Sequence, residues 1–331
     1  MTSLALVTGA RGFAGAWLCR GLLERGHDVR VLDRAPLAAG RTSALTLLEL
    51  DSEVEQVEGD LRDEATLERA VAGAEAVFHL AAQTLVGPAA ADPAETFDVN
   101  VRGTWLLLEA CRAAGSARVV VASSDKAYGP ASASELPYRE AMELRPAAPY
   151  EASKSAADLI ARSYGPAFGV AVAVTRFANL YGGADTNWSR LVPEAVVAAL
   201  DGRSPVLRSD GSPRRDLMHV SDAVSAYLAI DEALAAGDGA GEAFNAGGGE
   251  PHAVGDVVAL IAELAGTGVE PDIQGSGNPD GEIDSQWVDA SKLRELTGWR
   301  ARVGLREGLA QAIDWYRANP SARPPGRSAP G

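Results

Sequence analysis

The chain has 331 residues, with 45 acidic against 30 basic side chains and a formal net charge of -15. That balance argues against nucleic acid as a partner and leaves room for a small phosphorylated ligand held by local arginines. The length accommodates two ordinary domains with a sizeable core, and no window approaches the ~20 apolar residues of a membrane span.

Met1-Thr2-Ser3 leads straight into an apolar run, so no signal peptide and a cytoplasmic location are expected. Cys19 and Cys111 fall among apolar residues at helical spacing and lack metal-ligand spacing. They read as buried free thiols, and no metal site is expected. Only three of the 30 basic residues are lysines, namely Lys126, Lys154 and Lys292. Two of these lie in clusters with chemical potential.

The pattern Ser3-Leu4-Ala5-Leu6-Val7-Thr8 predicts a strand, followed by Gly9-Ala10-Arg11-Gly12-Phe13-Ala14-Gly15 and a helix to about Arg25. Glycines between strand and helix allow a tight turn and bring backbone N–H groups against a pyrophosphate at the helix N-terminus. The next strand, Asp28 to Leu32, ends in Asp33, 18 residues after Gly15. An acid there holds both ribose hydroxyls of NAD and repels a 2′-phosphate. Arg34 could instead welcome NADP, and NAD is favoured. Val54 to Leu61 reads as strand and turn, with Asp60 placed to contact the adenine, and Thr66 to Ala72 as a helix. Ala76 to Gln83 is a fourth strand that ends in small residues, where a cofactor passes closely. His79, inside that strand, reads as structural. Pro93 to Ala114 reads as one long helix carrying Asn100-Val101-Arg102-Gly103-Thr104.

The central stretch is Val119-Val120-Val121-Ala122-Ser123-Ser124-Asp125-Lys126-Ala127-Tyr128-Gly129. An apolar β-branched run predicts a buried parallel strand, and the polar cluster is the loop at its carboxyl end, where open α/β sheets place ligands. Tyr150-Glu151-Ala152-Ser153-Lys154 then opens a helix behind Pro149. Tyr150 and Lys154, four apart, share one helix face. A cation beside a phenol favours the phenolate, which would fit Tyr150 as a base. Asp125 and Lys126 could supply a further acid and base, or could form a loop ion pair without chemistry.

Ala171 to Arg176 is a sixth strand, running into Phe177-Ala178-Asn179-Leu180-Tyr181-Gly182. To this point strands and helices alternate, which predicts an α/β fold built on a doubly wound parallel sheet. Beyond it come a helix over Leu191 to Leu200 and a short strand over Pro205 to Arg208. A loop over Asp210 to Val220 leads into an Ala-rich helix, and Ala243 to Gly247 forms a last strand. Arg214 and Arg215 in that loop could clamp a diphosphate or pair with Asp210 and Asp216, with phosphate favoured for Arg215. The expected division is a cofactor domain over 1–178 plus about 216–248 and a smaller mixed α/β substrate domain over 179–215 plus 249–317. Residues 318–331, rich in proline, are expected to form a disordered tail.

Together, Thr8 to Gly15, the Tyr150/Lys154 pair, His79-Leu80-Ala81-Ala82, Asn100-Val101-x-Gly103-Thr104 and Arg215-Asp216-x-x-His219-Val220 resemble the extended short-chain dehydrogenase/reductase family of nucleotide-sugar enzymes, over nearly the whole chain. The resemblance implies a Rossmann-like domain with tightly held, recycled NAD and a smaller domain for a nucleoside diphosphate hexose. It implies a cofactor lined by Gly9, Arg11, Gly12, Phe13 and Gly15, then Asp33, Arg34, Asp60 and Leu61. Leu80, Ala81, Ala82, Asn100 and Ser123 would complete that lining, with Tyr150 and Lys154 at the nicotinamide end. Substrate would be held by Gln83, Thr84, Asn179, Arg190, Arg208 and Arg215. A homodimer through the helices near 94–114 and 150–165 is implied in the same way.

The family contains epimerases, 4,6-dehydratases, reductases and decarboxylases, and the fold does not choose among them. A 4,6-dehydratase must remove the C5 proton and protonate the departing C6 hydroxyl, so it needs a base and an acid beyond Tyr150. Ser124-Asp125-Lys126 supplies them. The triplet departs from the Thr-Asp-Glu common in dTDP-glucose dehydratases and is similar to the Ser-Asp-Lys of CDP-glucose 4,6-dehydratases. Lys126 as a base needs a lowered pKa. Lys154 nearby would lower it and Asp125 would raise it. The expected activity is therefore an NAD-dependent NDP-hexose 4,6-dehydratase, CDP-glucose dehydratase-like, with catalytic Tyr150, Lys154, Ser124, Asp125 and Lys126. The alternatives are a 4-epimerase, an NADPH-dependent 4-ketosugar reductase, or an NAD(P)-binding sensor without turnover. The intact Tyr150/Lys154 pair speaks against the last.

Overall fold

The computed structural model describes residues 3–34, 42–115, 117–277 and 284–324. The first half alternates strand and helix: β1 (Leu4–Thr8), α1 (Phe13–Glu24), β2 (Asp28–Asp33), α2 (Ala44–Leu47), β3 (Glu55–Glu58), α3 (Glu64–Val71), β4 (Ala76–His79), α4 (Val86–Ala91), α5 (Pro93–Phe97), α6 (Gly103–Ala114), β5 (Arg118–Ala122), α7 (Pro149–Phe168) and β6 (Val172–Phe177). Then follow β7 (Asn179–Tyr181), α8 (Leu191–Leu200), β8 (Val206–Leu207), β9 (Arg214–His219), α9 (Val220–Ala235), β10 (Ala243–Ala246), β11 (Pro251–Ala253), α10 (Val254–Ala265), β12 (Asp272–Ile273), β13 (Ser285–Gln286), α11 (Ser291–Thr297) and α12 (Leu305–Ala318).

Among the described residues, a seven-stranded parallel sheet runs β10-β6-β5-β4-β1-β2-β3. Its inner strands are apolar on both faces, as a sheet covered by helices on each side requires, while the edge strand β3 carries Glu55, Gln56 and Glu58 and is mostly exposed. Successive side chains alternate between the two faces. Ala5, Val7, Val31, Phe78, Val120 and Ala173 join one core with α1 and α9. Leu6, Leu32, Val77, Val119, Val121 and Val174 join the other with α3, α6 and α7. Each such Val or Leu contributes roughly 1.5–3 kcal/mol on burial. Cys19 lies in the first core and Cys111 in the second, both as buried free thiols. The strand order reverses between β1 and β4, so the loops after β1, β4 and β5 share one edge, the place where such sheets bind ligands. A third core joins α8, α10 and α12 through Val196, Ile261, Leu309 and Tyr316. It packs on a second sheet, β11-β9-β13 with β7 also paired to β9.

Three sequence expectations change. The helix expected over 93–114 is interrupted by a π-helical segment at Asp98–Arg102, which contains Asn100, and π segments often mark functional positions. Arg214 and Arg215 stand on strand β9 rather than in a loop, because β11 and β13 pair with it on either side. In the expected disordered tail, Ala318 ends α12, Pro320–Ala322 forms a 3-10 turn and Ala322 is buried, while residues 325–331 lie outside the described residues.

The sheet is locked to α7 by a buried ion pair. Arg176 at the end of β6 donates to both carboxylate oxygens of Asp158 at 2.7 and 2.9 Å. A planar guanidinium suits this two-point pairing. Removing one partner strands a buried charge, so Arg176→Met should cost about 3–5 kcal/mol in urea unfolding. Arg176→Met combined with Asp158→Leu should recover most of that loss. A single variant as stable as the parent would show that the pair is dispensable.

Candidate active site

The loop after β1 is shaped by glycine. Gly9 has φ of +74°, and a Cβ there would lie 2.7 Å from the Ala81 nitrogen. A Cβ on Gly15 would press into the Gly9 carbonyl. Helix α1 begins after Gly12 with no side-chain cap and no acid in its first turn, so its first N–H groups and positive dipole end are free for an anion. Asp33, at the end of β2, accepts the Arg11 amide at 2.8 Å and the Arg34 amide at 3.1 Å. Burial pushes its carboxyl up in spite of these amides. The close backbone approach, the uncapped helix and the acid at the β2 end fit a dinucleotide. Gly9, Gly12, Phe13, Gly15 and Asp33 would hold it, with Ala81 and Leu80 passing beneath.

Other residues expected at the cofactor are engaged elsewhere. The Arg11 guanidinium donates to the Arg34 carbonyl and reaches Gln56 and Glu58, leaving the Arg34 side chain exposed. Asp60 is held by Arg62 at 2.7 Å, and this hydrogen bond lowers its pKa. Arg62 also bridges Glu95 and Asp98. Leu61 is buried under Gly103, whose lack of a side chain makes room for it. Asn100 spends its amide on protein. It accepts from the Gln83 N–H at 2.7 Å and donates to the Gln83 carbonyl and the Ser153 hydroxyl, both at 2.9 Å. These bonds tie the loop after β4 to α7 beside Lys154. His79 is fully buried between the Thr8 and Thr104 hydroxyls at 2.8 and 3.0 Å. Desolvation drives its pKa down to about 3, so it is a neutral structural imidazole.

The polar cluster after β5 meets the face of α7. Pro149 occupies the first turn of α7, and Glu151 caps it by accepting the Ala147 and Ala148 amides. Tyr150 and Lys154 are both buried. The Lys154 ammonium donates to the Ala122 carbonyl at 2.9 Å, and the Ser123 hydroxyl donates to the Lys154 carbonyl at 3.3 Å. Helix and strand end are thereby pinned together. Desolvation lowers Lys154 to about 8.

Tyr150 departs from expectation. Burial and then the Asp125 charge push it up to about 12, against a hydrogen bond from Ser124 and the charge of Arg190. The Lys154 ammonium is hydrogen-bonded to the Ala122 carbonyl. A neutral Asp125 relieves the largest charge opposing the phenolate, so an acid at Asp125 and a base at Tyr150 favour each other.

Asp125 opens a 3-10 turn over Asp125–Tyr128 and is 2 % exposed. Its Oδ1 accepts the Ser124 hydroxyl at 3.1 Å and its Oδ2 has no partner. An unpaired buried carboxylate oxygen is costly. Desolvation raises the group to about 6, opposed by the charges of Lys126 and Arg215. Lys126 is half-buried on the same turn. The opposition from Arg215 places that guanidinium within electrostatic reach of the reacting end.

Of the remaining substrate candidates, Arg190 also binds Asp185 at 3.0 Å, Asn179 has an unpaired amide nitrogen, and Thr84 and Arg208 are exposed. Arg214 is exposed and donates to the Pro251 carbonyl. Gln83 is held through its backbone by Asn100 and accepts the Leu85 amide with its side chain.

The sequence alone assigns Tyr128 and Arg176 no role, and Asp216 only that of a possible partner for Arg214 and Arg215. Tyr128, on the turn that carries Asp125, accepts from Arg176 at 3.0 Å and donates to Asn245 at 2.8 Å. It also stacks on Tyr138 with ring centroids 4.7 Å apart. Asp216 is fully buried and accepts the Gly248 amide at 2.7 Å. Burial pushes it up to about 7, helped by the Asp125 charge. The one sequence signal for the Arg176 hub was an arginine closing an otherwise apolar strand. Among the described residues, no group of three His, Cys, Asp or Glu side chains is arranged for a metal, and no helix is long and apolar enough to cross a membrane.

Residues 5–247 match the model of the NAD dependent epimerase/dehydratase family. The chain is 34 % identical to a dTDP-glucose 4,6-dehydratase of Streptomyces antibioticus, over 98 % of this chain and 97 % of that protein. It is also 34 % identical to a UDP-glucose 4-epimerase of Mycolicibacterium smegmatis, over 94 % of this chain and 98 % of that one. A dTDP-glucose 4,6-dehydratase of Streptomyces venezuelae, solved with NAD bound, superposes with a TM-score of 0.84 at 31 % identity, covering 96 % of this chain and 97 % of that one.

The buried carboxyl makes stability depend on pH. Asp125 keeps its proton in the fold up to about pH 6, whereas an unfolded aspartate loses it near ~3.9. Between those values the folded state binds more protons, so this group's contribution to stability falls as pH rises. Above that window the ionised group is a standing cost of roughly 2–3 kcal/mol. Asp125→Asn should therefore unfold at higher urea than the parent at pH 8, with the advantage shrinking toward pH 4. Equal midpoints at both pH values would rule out a desolvated carboxyl.

Proposed function

The chain belongs to the NAD-dependent epimerase/dehydratase family, and from that membership we propose that it is a 4,6-dehydratase acting on a pyrimidine nucleoside diphosphate hexose. Its cofactor is NAD, as in the solved relatives of the family. The observation that carries the reading is Asp125, a buried carboxyl with a free oxygen and a pKa near 6 beside Tyr150. A 4-epimerase has no leaving group to protonate and no use for such an acid.

When bound, NAD supplies a hydride acceptor for C4 of the hexose and the donor that returns that hydride at C6. Tyr150 takes the proton of the 4-hydroxyl as C4 is oxidised. The new carbonyl acidifies C5, and Lys126 is the base assigned to that proton. Asp125 protonates the C6 oxygen, which leaves as water. Lys126 then returns its proton to C5, so the product is lighter by one water. The proton gained by Tyr150 must restore Asp125. Ser124, hydrogen-bonded to both, offers the path. Lys154, fixed on the Ala122 carbonyl, holds the face of α7 against the strand end. Arg190 and Arg215 carry the diphosphate, consistent with their charges being felt at Tyr150 and Asp125.

The nucleotide is the finer question. The relatives described above act on dTDP- and UDP-glucose, while Ser124-Asp125-Lys126 resembles the pattern of CDP-glucose dehydratases. Mass spectrometry of products from dTDP-, UDP- and CDP-glucose, without added cofactor, should show loss of one water for the true donor. Asp125→Asn should slow that loss about 10²-fold or more while C5 still exchanges with solvent deuterium. A product of unchanged mass and altered C4 configuration would make the protein an epimerase, the reading favoured by the M. smegmatis relative.

We further propose that the enzyme is a homodimer. Leu159 and Phe168 on α7 are 58 % and 57 % exposed, and Phe97, Trp105 and Val86 on the neighbouring helices are exposed as well. Large apolar side chains clustered on adjacent helices mark an interface. Light scattering should give twice the chain mass for the parent and a monomer for Leu159→Glu. A monomeric parent would refute the assignment.

A further inference from the structure

His79 ends β4 in register with Thr8 of β1 and is 3 % exposed. Its two ring nitrogens face two threonine hydroxyls, Nδ1 toward Thr8 and Nε2 toward Thr104. The neighbours fix the proton directions. Thr104 gives its single hydroxyl proton to the Asn100 carbonyl at 2.6 Å, and a carbonyl can only accept. Toward His79 the Thr104 oxygen must therefore accept, which puts a ring proton on Nε2. Desolvation keeps the ring neutral, so Nδ1 is bare and accepts from the Thr8 hydroxyl. The Thr8 oxygen in turn accepts the Ala81 amide at 3.1 Å.

Both ends of this run reach the site. Ala81 is the residue against which the turn at Gly9 closes, since a Cβ on Gly9 would meet its backbone. At the other end Asn100 lies in the π-helical segment and donates from its side chain to the Ser153 hydroxyl. Ser153 passes its own proton to the Tyr150 carbonyl at 2.7 Å. Every hydroxyl on the way accepts one bond and donates one. Thr8, Asn100, Thr104 and Ser153 are all buried, so a broken link leaves a buried polar group unpaired. Filling the space between β1 and α6 needs only an apolar side chain, which carries no desolvation cost. What the imidazole adds is a defined donor on one side and a defined acceptor on the other.

We propose that His79 is a positioning residue for the reaction, tying the glycine turn that receives the cofactor to the helical turn that carries Tyr150. The proposal rests on the reading above, in which Tyr150 acts at a bound NAD. The Nε2–H tautomer is the one neutral form that serves both threonines. With the proton on Nδ1, the bare Nε2 and the Asn100 carbonyl would compete for the one proton of Thr104. Hydride transfer tolerates little displacement of the groups around it, and a shift of ~1 Å costs about 10²-fold in rate. A slack link should therefore act on turnover and on the cofactor more than on sugar binding.

The test compares His79→Leu with His79→Leu combined with Thr104→Val, which removes a hydroxyl left without its partner. The double variant should melt within about 3 °C of the parent, and it carries the test alone if the single variant does not fold. The substrate is whichever nucleoside diphosphate hexose loses water in the product assay, with NAD at saturation. In both variants kcat should fall about 10- to 100-fold, with KM for the sugar nucleotide changed less than about threefold. The dissociation constant for NAD should rise about 10-fold. Nitrogen-15 NMR of the parent at neutral pH should show His79 protonated on Nε2 alone, its signals being those that vanish in the variants. A parental kcat at saturating NAD in the double variant overturns the link to Tyr150, and the imidazole then only fills space. An unchanged affinity for NAD overturns the link to the glycine turn. A ring protonated on Nδ1 overturns the directed chain on which both links depend. If the parent holds NAD yet converts no nucleoside diphosphate hexose, it is the functional reading that fails, while the NMR signal and the NAD affinity still decide the role of His79.

Discussion

The buried pairing of Arg176 with Asp158 is the contact on which the architecture of the site turns. The two charges lie on β6 and α7, and Arg176 also donates to Tyr128 and sits 4.9 Å from its ring. Through Tyr128 the pair reaches Asn245 on β10, and through Asn245 the carbonyls of Tyr138 and Asp289. One guanidinium thus fixes the helix with Tyr150 and Lys154, the turn with Asp125 and Lys126, and the segments that close over them. Ion pairs this deep gain little net stability over apolar packing. Their return here is geometric, because catalytic groups must be held to within a fraction of an ångström.

Around that frame the electrostatics are set by exclusion of water. Asp125, Asp216, Tyr150 and Lys154 all move toward their neutral forms, and in each case desolvation is the largest cause. A site of this kind holds acids that keep their protons and a lysine that readily gives one up. The raised carboxyl of Asp125 suits the delivery of a proton to a departing oxygen. Ser124 lies between the two ends and needs no charge of its own.

The chain resembles a dehydratase and an epimerase over nearly its whole length. The near-equal likeness to a dehydratase and to an epimerase shows how little of the whole chain records that choice. In the proposed function that choice lies at Asp125 and Lys126.

The sequence by itself determined the doubly wound sheet, the turn over Gly9 to Gly15, the acid at the end of β2 and the pairing of Tyr150 with Lys154. All of these follow from local spacing: alternation along a strand, glycine where backbone must approach, and four residues to a helical turn. It could not reveal that Asn100 buckles a loop to Ser153, that Asp60 is claimed by Arg62, or that β11 and β13 make a strand of the Arg214 and Arg215 segment. It also could not show that the Lys154 ammonium binds the Ala122 carbonyl, or that burial and the Asp125 charge raise the Tyr150 phenol. Those outcomes depend on register between segments far apart in the chain, on which residues lose water, and on which partner claims a shared group. Charge and desolvation act through space, and only the folded chain sets those distances.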